Sequence, residues 1–171
     1  RSAPLPFYRS NRSVTPAINA ARKARITFDV LEYQHDAASE SYGEEAASKL
    51  GLNTSEVFKT LLVSLTGHKS NLAVAVLPVS HSLSLKAIAK ALGAKKADMA
   101  DPALAEKTTG YVLGGISPLG QKKSLPTVVD NSAEALDRIH VSAGRRGLEI
   151  ALKPDDLVTL TRGIFAGITA Q

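Results

Sequence analysis

The stretch VFKTLLV, residues 57–63, decides how the chain is expected to fold, because it places a lysine inside an otherwise apolar run. With the two-residue period of a β-strand, the odd-numbered residues share one face, the even-numbered residues share the other, and both faces are largely apolar. This pattern predicts an inner strand. An ammonium group in such a strand must reach water, contact an anion or lose its charge, so Lys59 is the first candidate functional residue.

Helix and strand patterns surround this strand without a regular strand–helix repeat. Helices are predicted at 16–24, at 41–51 with a capping box of Ser41 and Glu44, at 84–93, and from residues 102, 132 and 154 onwards. Strands are predicted at 26–33, 57–65, 72–78, 111–113, 127–130, 139–144, 148–152 and 164–169. The polar turn at 66–71 predicts a hairpin. We therefore expect a mixed α/β (α+β) domain over 14–171, preceded by a flexible leader at 1–13.

Composition excludes several classes of site. The 171 residues include no cysteine, so the chain supplies no disulfide, thiolate metal site or cysteine nucleophile, which fits a reducing cytosol. No window approaches the roughly 18 consecutive apolar residues that a membrane helix needs, so no membrane attachment is expected. Lysine and arginine number 21 against 16 acidic residues, and this basic excess permits a polyanionic partner.

Three familiar catalytic patterns are absent or incomplete. The four histidines are scattered and form no metal-ligand pair, so no metal or cofactor is expected. Ser117 nearly matches a nucleophile elbow, but Leu119 replaces the required glycine and Pro118 removes a backbone N–H. The same loop resembles a phosphate-binding P-loop, yet Gln121 stands where the lysine must follow.

Two features remain, namely Lys59 and the loop GGISPLG at 114–120. Gly114 and Gly115 predict either a tight turn or a close backbone approach to a ligand. Lys59 predicts either a structural ion pair, a side chain that extends to water, or a functional cation. In LEIAL, residues 148–152, Glu149 lies opposite the apolar residues of the strand. An ion pair between Lys59 and Glu149 is therefore a hypothesis.

The motifs FKTLLV at 58–63, TTGY at 108–111, GGISPLGQKK at 114–123 and VSAGRRGLEI at 141–150 resemble those of the YbaK-type aminoacyl-tRNA deacylases. These are free-standing relatives of the editing insertion domain of bacterial prolyl-tRNA synthetase. The resemblance runs from residue 15 to about residue 157. It implies one domain with a strongly curved mixed sheet, and hydrolysis of the ester in mischarged tRNA, most often Cys-tRNA(Pro).

The resemblance also implies which residues form the site. The family's essential lysine corresponds to Lys59, whereas the acid after RGL is usually aspartate in the family and is Glu149 in this chain. The substrate-binding residues that it implies are Tyr33, Tyr42, Thr60, Gly114, Gly115, Pro118, Ser142 and Glu149. A cytoplasmic location and a transient complex with prolyl-tRNA synthetase are expected with it.

The implied mechanism needs no protein nucleophile, because the cysteinyl thiol of the substrate attacks its own ester carbonyl. Lys59 is expected to contact the terminal phosphate or the oxyanion, and backbone N–H groups near Gly114 and Gly115 to hold the carbonyl or the aminoacyl group. Glu149 is expected to position Lys59 or to bind the α-ammonium group. Two alternatives remain: a deacylase for Ala-tRNA(Pro) or other mischarged species that uses water or a ribose hydroxyl, and a non-catalytic module that binds tRNA or the synthetase.

Overall fold

The computed structural model describes residues 14–170, and the leader expected at 1–13 lies outside the described residues. These residues form a mixed α/β domain, as expected. Its helices are α1 Pro16–Ala24, α2 Tyr42–Leu50, α3 Leu85–Leu92, α4 Pro102–Thr109 and α5 Pro154–Thr161, with a short 3₁₀ helix at Asn131–Ala135. Its strands are β1 Phe28–Glu32, β2 Phe58–Thr66, β3 Leu72–Pro78, β4 Lys96–Met99, β5 Thr127–Asp130, β6 Ile139–Arg145, β7 Leu148–Leu152 and β8 Ile164–Ala166.

The strands form two sheets, where the resemblance implied a single curved one. The smaller sheet is antiparallel with the order β1-β7-β6, and the larger sheet is mixed with the order β4-β2-β3-β5-β8. The predicted hairpin is β2–β3, paired antiparallel from Phe58 opposite Pro78 to Ser64 opposite Leu72. Within residues 14–170, no helix has the length and apolar character that crossing a membrane requires.

Local predictions differ from the structure at four places. Residues 111–113 belong to a loop and not to a strand, and strand β4 was not predicted. The last strand is Ile164–Ala166, shorter than expected. Ser41 precedes α2 as expected, but its side chain makes no capping hydrogen bond, so the capping box with Glu44 does not form.

Strand β2 has apolar surroundings on both faces, which confirms that it is an inner strand. Phe58 and Leu62 belong to the core between the two sheets. Val63 and Leu65, on the other face, belong to the core beneath α3. Burial of both faces places the backbone of β2 in the middle of the domain, so side chains near its first residues are only partly accessible to water.

One edge of β2 is only partly covered. Strand β3 pairs along most of its length, but β4 pairs only with residues from Val63 to Thr66. Beyond Val63, the carbonyl of Leu62 accepts a hydrogen bond from the N–H of Ala100 (3.0 Å), and the next contact on that edge is an isolated bridge between Val57 and His140. Between these two contacts, the edge of β2 has no strand partner among the described residues.

Thr15 attaches α1 to strand β6. Its hydroxyl oxygen accepts a hydrogen bond from the N–H of Ile18 (3.1 Å), which caps the helix, and the hydroxyl donates to the carbonyl of Ala143. The Thr15 side chain is buried. The register between β6 and β7 shifts between Ser142 and Arg145, so this hydrogen bond fixes β6 where its pairing is irregular.

We expect Thr15→Ala to lower the free energy of unfolding by about 1–2 kcal/mol, because a helix cap is lost and a buried carbonyl is left unpaired. Denaturant titration measures this change. Thr15→Ser keeps the hydroxyl and is the matched control, with an expected loss below about 0.5 kcal/mol. Equal losses in the two variants would contradict a role for the hydroxyl.

Candidate functional site

A cavity of about 600 Å³ lies between the two sheets, and the start of β2 forms one wall. Five consecutive residues of the chain, 57–61, line it. Side chains of a strand alternate between faces, so a continuous run can line a cavity only where the cavity also meets the strand's edge. The uncovered edge of β2 therefore opens into this cavity. The opposite walls are the start of α2, the loop at 113–116, and parts of β6 and β7.

Lys59 is half-buried and lines the cavity. Burial lowers the pKa of Lys59 from its ordinary value, and the nearby carboxylate of Glu44 opposes that shift. No ion pair joins Lys59 to Glu149 within residues 14–170, so the hypothesis of such a pair is wrong. Both residues line the same cavity, but strand alternation fixes only which face each side chain takes, not the distance between them.

Glu149 is the buried acid of the cavity. Leu148, Ile150 and Leu152 of the same strand point into the main core, so the predicted alternation in β7 is confirmed. Glu149 lies on the opposite face and is 6% exposed. Burial raises the pKa of Glu149 to about 8. At neutral pH this carboxyl is therefore mostly protonated, a hydrogen-bonding group without charge.

Thr60 lies beside Lys59 on β2, and its hydroxyl oxygen is buried without a hydrogen-bond partner among the described residues. Ser142, on β6, is the residue opposite Glu149 across the β6–β7 pair. Its side-chain oxygen accepts a hydrogen bond from the N–H of Gly144 (3.2 Å). Thr60, Ser142 and Glu149 together give this end of the cavity polar groups set among apolar strands.

Gly114 lies where Tyr42 and Arg146 meet. Its φ of +85° is in the left-handed region, and a Cβ atom there would lie 2.7 Å from the Nε of Arg146 and 2.9 Å from the Tyr42 ring. Both the backbone conformation and the close contacts require glycine. The guanidinium carbon of Arg146 lies 4.7 Å from the centroid of the Tyr42 ring, a cation–π contact.

Gly115 and its neighbours have a packing role. The N–H of Gly115 donates to the carbonyl of Val112 (2.8 Å), so this N–H is occupied in the loop as it stands. A Cβ atom on Gly115 would lie 2.6 Å from the Cα of Arg145, which explains the glycine. The N–H of Gly114 has no hydrogen-bond acceptor within residues 14–170 and stays available.

Six of the nine predicted site residues line the cavity, namely Tyr42, Lys59, Thr60, Gly114, Ser142 and Glu149. Gly115 and Pro118 are buried within the glycine loop and do not line the cavity. Tyr33 lines a separate open depression of about 760 Å³ with His35 and Lys49. Burial raises the pKa of Tyr33 to about 12, with Glu149 contributing, so its phenol is protonated at neutral pH.

A hydrogen-bonded cluster around Glu45 connects that depression to Tyr42. The Glu45 carboxylate accepts from the backbone N–H of Asp36 (2.7 Å), contacts His35 Nδ1 (2.7 Å) and pairs with Lys49 (2.9 Å). The rings of His35 and Tyr42 lie 5.9 Å apart, centroid to centroid. The cluster holds the segment after β1 against α2, at whose first residue Tyr42 lies.

Sequence reasoning missed four charged residues of the cavity: Glu40, Glu44, Glu106 and Arg146. Glu106 accepts a hydrogen bond from the N–H of Leu113 (2.9 Å) and so holds the loop beside Gly114. Glu44 was predicted only as part of a capping box, Glu106 gave no signal beyond ordinary helix-surface charge, and Arg146 lies within VSAGRRGLEI. Within the described part of the chain, no group of three or more His, Asp or Glu side chains is placed to bind a metal ion.

Comparison with known proteins identifies the family to which the chain belongs. Residues 36–160 match the aminoacyl-tRNA editing domain family. The chain is 39% identical, over 159 residues, to EbsC of Enterococcus faecalis, which is named as a candidate Cys-tRNA(Pro)/Cys-tRNA(Cys) deacylase; the match covers 92% of this chain and 94% of EbsC. The chain belongs to the aminoacyl-tRNA editing domain family.

Solved structures share the fold. A hypothetical protein of known crystal structure matches with a TM-score of 0.79 and 23% identity, over 91% of this chain and all (100%) of that one. A second, described as a candidate trans-editing enzyme for prolyl-tRNA synthetase, matches with a TM-score of 0.76 and 21% identity, over 93% and 100%. At these identities, the likeness concerns the fold.

Glu149→Gln tests the buried proton, because it keeps the shape of the side chain but removes its titration. The folded-state pKa, about 8, lies above the ordinary 4.5. The stabilisation that this group contributes is therefore fully present below pH 4.5. It is lost as the pH rises through the folded-state pKa of about 8, with a slope of up to about 1.4 kcal/mol per pH unit between the two pKa values. We expect the unfolding free energy of Glu149→Gln, minus that of wild type, to increase between about pH 5 and 8.

Urea unfolding at a series of pH values measures this difference. Glu134→Gln is the matched control, because Glu134 is exposed and lies away from the cavity. Parallel pH curves for Glu149→Gln and wild type would contradict the raised pKa of Glu149.

Proposed function

We propose that the protein deacylates mischarged tRNA, with Cys-tRNA(Pro) as its main substrate. The observation that carries the proposal is Lys59, a half-buried ammonium group that lines a cavity and has no ion-pair partner among the described residues. A cation in this position is available to a developing negative charge. Membership of the editing-domain family and the name of the relative EbsC support the same activity.

The size of the cavity suits a small aminoacyl group with its terminal nucleoside. Its volume of about 600 Å³ is within the range typical of small-molecule sites. The body of a tRNA must remain outside. Cysteine and alanine are no larger than proline, so the synthetic pocket of prolyl-tRNA synthetase discriminates against them by only about 1–3 kcal/mol. A second, hydrolytic site is therefore needed to remove them from the tRNA.

The proposed reaction uses the substrate's own thiol. Its sulfur attacks the ester carbonyl, the bond from that carbon to the ribose oxygen breaks, and the thiol proton passes to the ribose oxygen. The products are a cyclic thiolactone and tRNA with a free terminal hydroxyl. Lys59 stabilises the oxyanion that forms in between, and the free N–H of Gly114 is a second donor on the opposite wall.

Glu149 serves the α-amino group in this scheme. Because its carboxyl is mostly protonated at neutral pH, it can hydrogen-bond to a polar group of the substrate without the repulsion that a buried negative charge would exert. A bound α-ammonium group would favour the ionised form and pull the pKa of Glu149 down again. Substrate binding at this wall is then accompanied by release of a proton.

Partners and location follow from the reaction. The protein acts in the cytoplasm, where tRNA is charged, and receives its substrate through a transient complex with prolyl-tRNA synthetase. Scattered surface lysines, without an appended RNA-binding module in the described chain, give weak binding of the tRNA body. A complex with the synthetase compensates for that weakness.

We expect Lys59→Met to reduce the single-turnover rate of Cys-tRNA(Pro) deacylation by at least about 10²–10³, because one oxyanion donor is lost while the apolar stem is retained. Lys69→Met is the matched control. It removes one positive charge from the exposed β2–β3 turn at the other end of the same hairpin. Unchanged turnover in Lys59→Met would reject the proposed role, and binding without any rate enhancement in wild type would indicate a non-catalytic module.

The nucleophile is tested on the substrate side. We expect tRNA(Pro) carrying serine to be deacylated much more slowly than the same tRNA carrying cysteine, because a hydroxyl is a far weaker nucleophile than a thiol at neutral pH. A panel that includes Ala-tRNA(Pro) is measured under the same conditions. Equal rates for cysteine, serine and alanine would show that water or a ribose hydroxyl attacks instead.

A further inference from the structure

Arg146 is a fixed cation in the wall of the cavity that the proposed chemistry leaves without a role. It lies between β6 and β7 and lines the cavity together with Lys59. Its Nε donates to the carbonyl of Leu113 (2.8 Å), and its guanidinium stacks on the ring of Tyr42. These contacts use one N–H and one face of the group.

The terminal N–H groups of Arg146 remain unused. No described residue forms an ion pair with Arg146, and its hydrogen bond within residues 14–170 is the one from Nε. A guanidinium group held at Nε and by stacking presents its remaining donors in a fixed plane. That arrangement matches two oxygen atoms of a phosphate or carboxylate.

The loop opposite is built around this side chain. At Gly114, a Cβ atom would lie 2.7 Å from the Nε of Arg146, so any other residue would displace the guanidinium. Arg145, the preceding residue, provides a contrast. It is exposed, its Nη2 lies 3.3 Å from Glu32, and it does not line the cavity.

We propose that Arg146 binds the phosphate that joins the terminal adenosine to the preceding nucleotide of the substrate. This inference rests on the proposed function. An aminoacyl ester has no free carboxylate, so the anions that an aminoacyl-tRNA brings to the cavity are its phosphates. If Arg146 binds that phosphate, Lys59 is free to stabilise the oxyanion at the ester carbonyl. The two cations of the cavity then have separate roles.

The experiment compares Arg146→Gln with Arg145→Gln, which remove the same charge from adjacent positions. Each is assayed with a cysteinylated acceptor-stem RNA and with 3′-O-cysteinyl-adenosine, which has no phosphate. We expect Arg146→Gln to lower kcat/KM on the RNA by about 10- to 100-fold, mainly through KM, and to leave the nucleoside ester unaffected. The slope of log kcat/KM against log salt concentration should become shallower by about 0.7.

Three results would overturn the assignment. An equal loss on the RNA and on the nucleoside ester would show that Arg146 only positions Tyr42 and the loop. No loss on either substrate, or the same loss in Arg145→Gln as in Arg146→Gln, would show that the cavity phosphate contact does not exist.

Binding of small ligands separates this inference from the proposed function. Wild type should bind AMP more tightly than adenosine, and Arg146→Gln, unlike Arg145→Gln, should lose that preference, as measured by NMR titration. If wild type deacylates no mischarged tRNA but this preference is seen, the proposed function fails and the phosphate site stands. If deacylation is seen but AMP and adenosine bind Arg146→Gln and wild type with the same preference, the phosphate site fails alone.

Discussion

The short length of β4 is the constraint on which the site depends. Strand β4 covers the edge of β2 only from Val63 to Thr66. A longer strand would pair with the first residues of β2 and fill the space that is now a cavity. The same edge is closed again at Val57 by the bridge to His140. The site is therefore a gap of a few residues in the hydrogen-bonded edge of an otherwise well-covered sheet.

Electrostatics in this gap favour neutral or unpaired groups. Glu149 and Lys59 are both partly or wholly removed from water, and burial shifts the pKa of each toward its uncharged form. They form no ion pair with each other among the described residues. An ion pair would have stabilised both charges and left neither available to a ligand. One cation and one proton donor therefore stay free in the lining of the same cavity.

The sequence predicted much of this arrangement, since two kinds of pattern carry local information. The two-residue alternation in VFKTLLV and LEIAL correctly placed Lys59 and Glu149 among apolar neighbours, and helix caps such as Ser84 and Gly93 correctly bounded α3. Strand β4 was missed because KADM has no β-branched residue and little apolar character. Its pairing with β2 comes from tertiary contacts.

Strand alternation and helix caps could not predict contacts between segments that are distant in the chain. Alternation could not give the distance between two sheets, so the ion pair between Lys59 and Glu149 was expected and is absent. The glycine pair did not reveal that the Gly115 N–H is occupied by Val112. Arg146 was not singled out from the sequence, because its fixed orientation depends on Leu113 and Tyr42, which lie far from it in the chain.

The buried hydroxyl of Thr60 links the stability of the chain to its affinity for ligands. Folding has already removed this oxygen from water without giving it a partner, at a cost of roughly 1–3 kcal/mol. A ligand that hydrogen-bonds to this hydroxyl recovers that free energy, because folding has already removed the Thr60 oxygen from water and binding need not do so again. The unliganded protein is therefore less stable than it would be if this hydroxyl were hydrogen-bonded. A ligand restores that stability only if one of its polar groups reaches the Thr60 hydroxyl.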